Sequence, residues 1–157
     1  MKSVMIVSGL FFALVTVTAQ TKARTDLNIM TFNIRYDNPD DGINNWKFRK
    51  EKVIKAIRFQ EIDVLGAQEV LSNQLKEMSG QLQEYAAIGV GREDGKEKGE
   101  YSPILFKKDR FKRIKSGYFW LSQTPEKPSK GWDAACERIA TWVQLKDKTT
   151  GEKFFVL

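Results

Sequence analysis

Between Leu27 and Leu82 the spacing of apolar residues switches back and forth between two periods, and this alternation restricts the architecture more than any other feature of the chain. Leu27 to Ile34 is rich in apolar and β-branched residues with partial alternation. The turn formers Asp37-Asn38-Pro39-Asp40-Asp41-Gly42 follow, which predicts a first strand running into a loop. From Trp46 to Phe59, the apolar positions Trp46, Val53, Ile54 and Ile57 are separated by Lys and Arg at helical intervals, giving a helix with a basic outer face. Asp63 to Gln68 reads as a short buried strand. Leu71, Leu75, Met78 and Leu82 then form the single stripe of a second helix that packs onto a sheet. Strand, helix, strand, helix is the order of an α/β layered domain.

Beyond Leu82 the helical period is gone. Strands are expected over Tyr85 to Val90, Ile104 to Phe106, Phe111 to Leu121 and Arg138 to Leu145, with a charged, Gly-rich loop from Gly91 to Gly99 and a long loop from Ser122 to Asp133. Asp147-Lys148-Thr149-Thr150-Gly151 is a hairpin turn, and Lys153 to Leu157 begins a returning strand. Neither repeats nor low-complexity tracts occur, so residues 20–157 are read as part of one domain.

Residues 1–19 differ in kind. Lys2 precedes an almost uncharged apolar run from Val4 to Val17, and Val17-Thr18-Ala19 offers small residues for cleavage before Gln20, the pattern of a secretory signal peptide. The run is shorter than the ~20 residues that span a bilayer, so the mature chain is expected to be secreted or periplasmic. Its removal takes away one lysine and lowers the net charge from +6 to +5. A modestly basic surface suits polyanions but is more often a solvated average. Cys136 is the only cysteine, so no disulfide forms within one chain.

Among residues that could carry chemistry, Glu69 stands out, although a Glu at a strand end more often simply faces solvent. It follows a short apolar strand, where a rigid backbone can aim a carboxylate at a cleft, and a hard divalent cation takes few protein oxygens and keeps water and phosphate as its other ligands. Asn33 ends the first strand in the same way. Its amide could donate to a phosphate oxygen or steady a metal ligand, or serve only as a turn residue. The Gly89 to Gly99 stretch is no nucleotide-binding loop, since Gly95-Lys96 is followed by Glu97 where Ser or Thr is needed.

Four segments read together, Thr31-Phe32-Asn33-Ile34-Arg35, Gln68-Glu69-Val70, Gly99-Glu100-Tyr101-Ser102-Pro103-Ile104 and Trp132 to Trp142, resemble the endonuclease/exonuclease/phosphatase family. The resemblance implies a DNase I-like four-layer sandwich of two mixed sheets flanked by helices, and a phosphoesterase dependent on Mg²⁺ or Mn²⁺. It places Asn33 and Glu69 in the active site, with Glu69 holding metal. Glu100 falls where the deoxyribonuclease branch has a carboxylate that orients a catalytic His, although it is also one more charge of the Glu93 to Glu100 loop. Arg138 falls where a family arginine contacts substrate phosphate, although it could instead pair with Asp133 or Glu137. Phe119 to Ser122 and the Trp132 segment are placed at the cleft rim, while Trp142 is expected to be core.

The family pattern continues through Asn-Thr-His, Gly-Asp-Phe-Asn and Asp-His segments, and none of these occurs here. The chain contains no histidine at all. Phe154-Phe155-Val156-Leu157 is the apolar run that in the family leads into Asn-Thr-His, so the resemblance implies the front half of a domain. By itself such a half is expected to be inactive and to expose an apolar face. The substrate stays open between nucleic acid, a phosphorylated small molecule and a lipid headgroup. The alternative is a non-catalytic polyanion-binding module that uses the basic runs Lys47 to Lys55 and Lys107 to Lys115.

Overall fold

The computed structural model describes residues 26–157; the expected signal peptide lies outside them. Strand β1 (Ile29–Asn33) pairs in parallel with β2 (Val64–Gln68). The crossover between them carries a 3-10 turn (Pro39–Asn44) and helix α1 (Trp46–Phe59). Asn45 caps α1 by accepting the Lys47 N–H. The buried face of the helix is Trp46, Val53, Ile54 and Ile57, as its periodicity predicts. Each such side chain removed from water contributes roughly 1.5–3 kcal/mol.

Helix α2 (Ser72–Gln81) leads to β3 (Tyr85–Ile88), and β4 (Ile104–Lys107) returns between β3 and β2, antiparallel to both. The resulting sheet has the order β1-β2-β4-β3 and is mixed. Three further strands, β5 (Phe111–Trp120), β6 (Ile139–Asp147) and β7 (Lys153–Val156), form a second sheet that is antiparallel across the described residues. Two cores result. Leu65, Ala67 and Leu105 of the first sheet pack with α1 and α2, while Val64, Ile104 and Phe106 on its other face meet Phe111, Val143 and Leu145 of the second. No described helix is long and apolar enough to cross a membrane.

Two expectations change. The stripe of α2 is not uniformly apolar, because Leu71 becomes the residue capping the helix, Leu75 is half-buried, and Gln74 is fully buried beside Met78. Trp142 is not core. Strand β6 buries Ile139, Thr141, Val143, Leu145 and Asp147, and the alternation of a strand puts Trp142 on the outer face. There it lies over Gly117, where a Cβ would come within 2.8 Å of the indole nitrogen, and against Phe155.

An ion network joins the two sheets at the end opposite the carboxyl ends of β1 and β2. Asp63, just before β2, receives Lys107 at 3.2 Å and Arg110 at 2.8 Å, and Arg110 reaches on to Asp147 at 3.0 Å. Burial pushes the Asp147 carboxyl up, but the N–H groups of Thr149 and Thr150 and the Arg110 guanidinium outweigh it and hold the group below its ordinary value.

Candidate functional site

Parallel pairing places the carboxyl ends of β1 and β2 side by side, and in such sheets ligands bind beyond those ends. Asn33 is the last residue of β1, in register with Gln68. Glu69 comes next on the neighbouring strand, and the Asn33 amide donates to its Oε1 at 2.8 Å. The other face of the Asn33 side chain accepts the Arg35 N–H at 2.9 Å, which fixes which end of the amide points at the carboxylate. Glu69 is half-buried and adopts φ 56°, a left-handed conformation that turns the chain out of the strand.

These residues fit a hard divalent cation in part. Glu69 Oε2 has no hydrogen bond among the described residues, so one carboxylate oxygen is available, and Mg²⁺ is commonly held by one or two carboxylates with water and phosphate. No group of three acidic, His or Cys side chains suited to a metal occurs among the described residues.

Beside the pair, a cleft of about 550 Å³ is lined by Asn33, Arg35, Asp41, Asn44 and Arg49. Arg35 binds Asp41 through two bonds of 2.7 Å, which holds the Asp41 carboxyl below its usual range and raises the guanidinium further above its own. The Arg49 guanidinium turns inward to the carbonyls of Ile34, Arg35, Tyr36 and Asn44. Burial lowers its pKa.

Glu100 and Arg138 share this end of the molecule without touching the pair. Val70 and Tyr101 form an isolated antiparallel bridge, which brings the residue before Tyr101 alongside the loop that follows β2. The Glu100 carboxylate is taken by Arg92 in a two-bond ion pair of 3.0 and 3.1 Å. The loop around them is pinned from several sides. Asp94 accepts the Lys96 and Lys98 N–H groups, Tyr101 donates to the Lys96 carbonyl, and the buried Trp120 donates to the Arg92 carbonyl. Arg138 immediately precedes β6, and its carbonyl accepts the Leu121 N–H. Its side chain is exposed and pairs with neither Asp133 nor Glu137 among the described residues. A gap of about 320 Å³ lined by Thr31, Gln68, Ser102, Ile139 and Thr141 shows that the start of β6 faces the ends of β1 and β2.

At the rim, Trp132 is 77% exposed and Trp120 is 2% exposed, so of these two only Trp132 presents a free ring surface. Sequence reasoning passed over Gln74, Arg49 and Arg92. Gln74 had a legible signal, since it is a polar residue three after Leu71 and four before Met78 on an apolar helix face. Arg92 and Glu100 lie eight apart in a loop, where spacing carries no such signal.

No family model and no curated protein matches this chain. Solved structures do. An endonuclease/exonuclease/phosphatase from Bacteroides vulgatus is 50% identical over 84% of this chain and 51% of its own, with a TM-score of 0.82. A family protein from Bacteroides thetaiotaomicron is 41% identical over 82% of this chain and 48% of its own, TM-score 0.80. A mannosyl-6-phosphatase from the same organism is 41% identical over 83% and 49%, TM-score 0.81. The chain thus spans about half the length of the structures it matches. With half its residues identical to the first of these over most of its length, and with the DNase I-like arrangement of two packed sheets, it belongs to the endonuclease/exonuclease/phosphatase family.

Proposed function

We propose that this chain supplies the metal- and phosphate-holding part of a secreted or periplasmic, Mg²⁺- or Mn²⁺-dependent phosphoesterase, acting on a phosphorylated sugar. The observation that carries this reading is the Asn33–Glu69 hydrogen bond across the carboxyl ends of the parallel pair β1 and β2. A bound divalent cation would polarise the phosphate and stabilise developing charge. Glu69 would hold it through Oε2, Asn33 fixes the carboxylate orientation, and the Arg138 guanidinium, which has no ion-pair partner among the described residues, offers two parallel donors to phosphate oxygens. The chain brings no imidazole. An imidazole base for the attacking water would come from outside these residues, and residues 26–157 alone should be inactive. The sugar phosphate is favoured over nucleic acid by the 41% identity to the mannosyl-6-phosphatase.

The basic runs behind the polyanion-binding alternative are engaged in part, while Lys112 and Lys115 stay on the outer face of the second sheet. Lys50 is paired with Glu77, Arg49 is spent on backbone carbonyls, and Lys107 and Arg110 are committed to Asp63 and Asp147. The test is to assay the complete polypeptide against sugar 6-phosphates, bis-p-nitrophenyl phosphate and single-stranded DNA, with Mg²⁺ and with EDTA. Mg²⁺-dependent release of phosphate from a sugar phosphate is expected. Cleavage of the diesters alone would move the reading to a nuclease, and metal-independent, salt-sensitive DNA binding without turnover would favour the binding module.

A further inference from the structure

We propose that Gln74 is a positioning residue, which ties the loop after β1 to the loop after β2 and so sets the spacing at which Asn33 reaches Glu69. The proposal rests on the reading of that pair as the metal- and phosphate-holding centre. Gln74 is 0% exposed, and burying an amide is costly unless its atoms are bonded. One bond is local. Its Oε1 accepts the Leu71 N–H at 3.0 Å, which is half of a capping box for α2; the Leu71 side chain has no oxygen with which to return the bond.

The other two bonds do nothing for the helix. The same Oε1 accepts the Asp37 N–H at 3.1 Å, and Nε2 donates to the Arg35 carbonyl at 2.9 Å. Leu71 lies two residues beyond Glu69, and Arg35 two beyond Asn33, so one side chain grips both exits from the parallel pair. Both exits are strained, with Arg35 at φ 57° and Glu69 at φ 56°. Non-glycine residues keep such conformations only where surrounding bonds over-determine them. Arg49 supplies the second restraint, its Nη2 donating to the same Arg35 carbonyl at 2.6 Å. Arg49 bonds only within the crossover that follows β1, whereas Gln74 bonds to both loops; its neighbour Asn73 adds one bond from α2 to the first loop, Nδ2 donating to Asp37 Oδ2 at 2.9 Å.

The test compares Gln74→Met, similar in length but without hydrogen-bonding atoms, with Leu145→Ala, a core truncation in the second sheet. Backbone hydrogen exchange of Gln74→Met should rise about tenfold or more at residues 35–37 and 70–71 while β5 and β6 stay protected. In the complete polypeptide, kcat should fall about 10- to 100-fold and Mg²⁺ half-saturation should rise, with KM for substrate nearly unchanged. Leu145→Ala should lower the melting temperature without moving the Mg²⁺ requirement. If Gln74→Met does not fold, Gln74→Glu keeps an acceptor for Leu71 and Asp37 and, when ionised, replaces the donor to Arg35 by a negative oxygen facing its carbonyl; it should still show faster exchange at residues 35–37, most at a pH where the acid is ionised. Exchange confined to the first turn of α2, or a Mg²⁺ requirement equal to that of Leu145→Ala, overturns the proposal. A wild type indifferent to Mg²⁺ defeats the phosphoesterase reading instead, and the exchange pattern then decides the structural linkage by itself.

Discussion

Among the described residues the four-stranded sheet is covered on both faces, by α1 and α2 on one side and by the second sheet on the other, whereas the three-stranded sheet meets packing partners on one face. The first holds Asn33 and Glu69 at the ends of strands that are immobilised from both sides. The second brings Arg138 and Trp120 to the same end, and its free face carries Lys112, Lys115, Trp142 and Phe155. Phe155 is 66% exposed, and Lys112, Lys146 and Lys153 stand in register across three strands with no opposite charge among them. Precision at a catalytic centre needs rigid support, and among the described residues the Glu69 carboxylate proposed to hold metal stands on the sheet that is packed on both faces.

Activity should follow the same division. In the complete polypeptide, Glu69→Gln on the first sheet should lower kcat by about 10³-fold, the scale of losing a group that stabilises transition-state charge. Arg138→Ala on the second should cost about 10- to 100-fold, because the charge-assisted bidentate contact proposed for it is lost while the carboxylate proposed to hold metal stays. Steady-state kinetics at saturating Mg²⁺ separates the two, and equal losses would dissolve the distinction.

Stability offers the next test. Leu65 and Leu145 are both fully buried, one under the helices and one between the sheets, and truncation to Ala costs about 2–5 kcal/mol at such sites. Leu65→Ala should lie at the upper end and Leu145→Ala at the lower, since among the described residues the sheet of Leu145 is packed on one face and can relax towards the cavity. Urea midpoints at constant slope measure this, and the reverse order would mean that the second sheet is the stiffer one.

The ion network that ties the sheets together should respond to acid. The Asp147 carboxyl titrates below its ordinary value of 3.8, so its stabilisation is fully present above that value and is lost as pH falls through the lower folded value. Asp147→Asn should therefore cost about 1.5–3 kcal/mol at neutral pH and flatten the acid limb of the stability curve. An unchanged acid limb would assign it to other carboxylates. The smallest effect is expected on the free face, where Lys146→Glu between Lys112 and Lys153 should stabilise by about 0.2–1 kcal/mol at low salt and by less as salt is added.

Much of the architecture was legible before any coordinates. The helix bounds Trp46–Phe59 and the four residues it buries follow from the period of its apolar positions, because a helix packing on a sheet must show one apolar stripe. Asn33 and Glu69 could each be placed at a strand end from the apolar runs before them. Their contact could not, since the 2.8 Å bond joins residues 36 apart and depends on the parallel register of β1 and β2. Trp142 departs from its expected core position for a related reason: alternation shows that a strand has two faces but not which one a partner will cover.

The sequence by itself determined which segments are helix and which are strand, that the chain lacks histidine, and which family it resembles, because period, composition and short motifs are local properties. Only the tertiary structure decided that Glu100 is held by Arg92, that Arg138 pairs with neither Asp133 nor Glu137 among the described residues, and that Gln74 spans two loops. Each of these depends on side chains meeting across folded elements, and hydrogen-bond geometry is set by ångström-scale placement that local patterns do not encode.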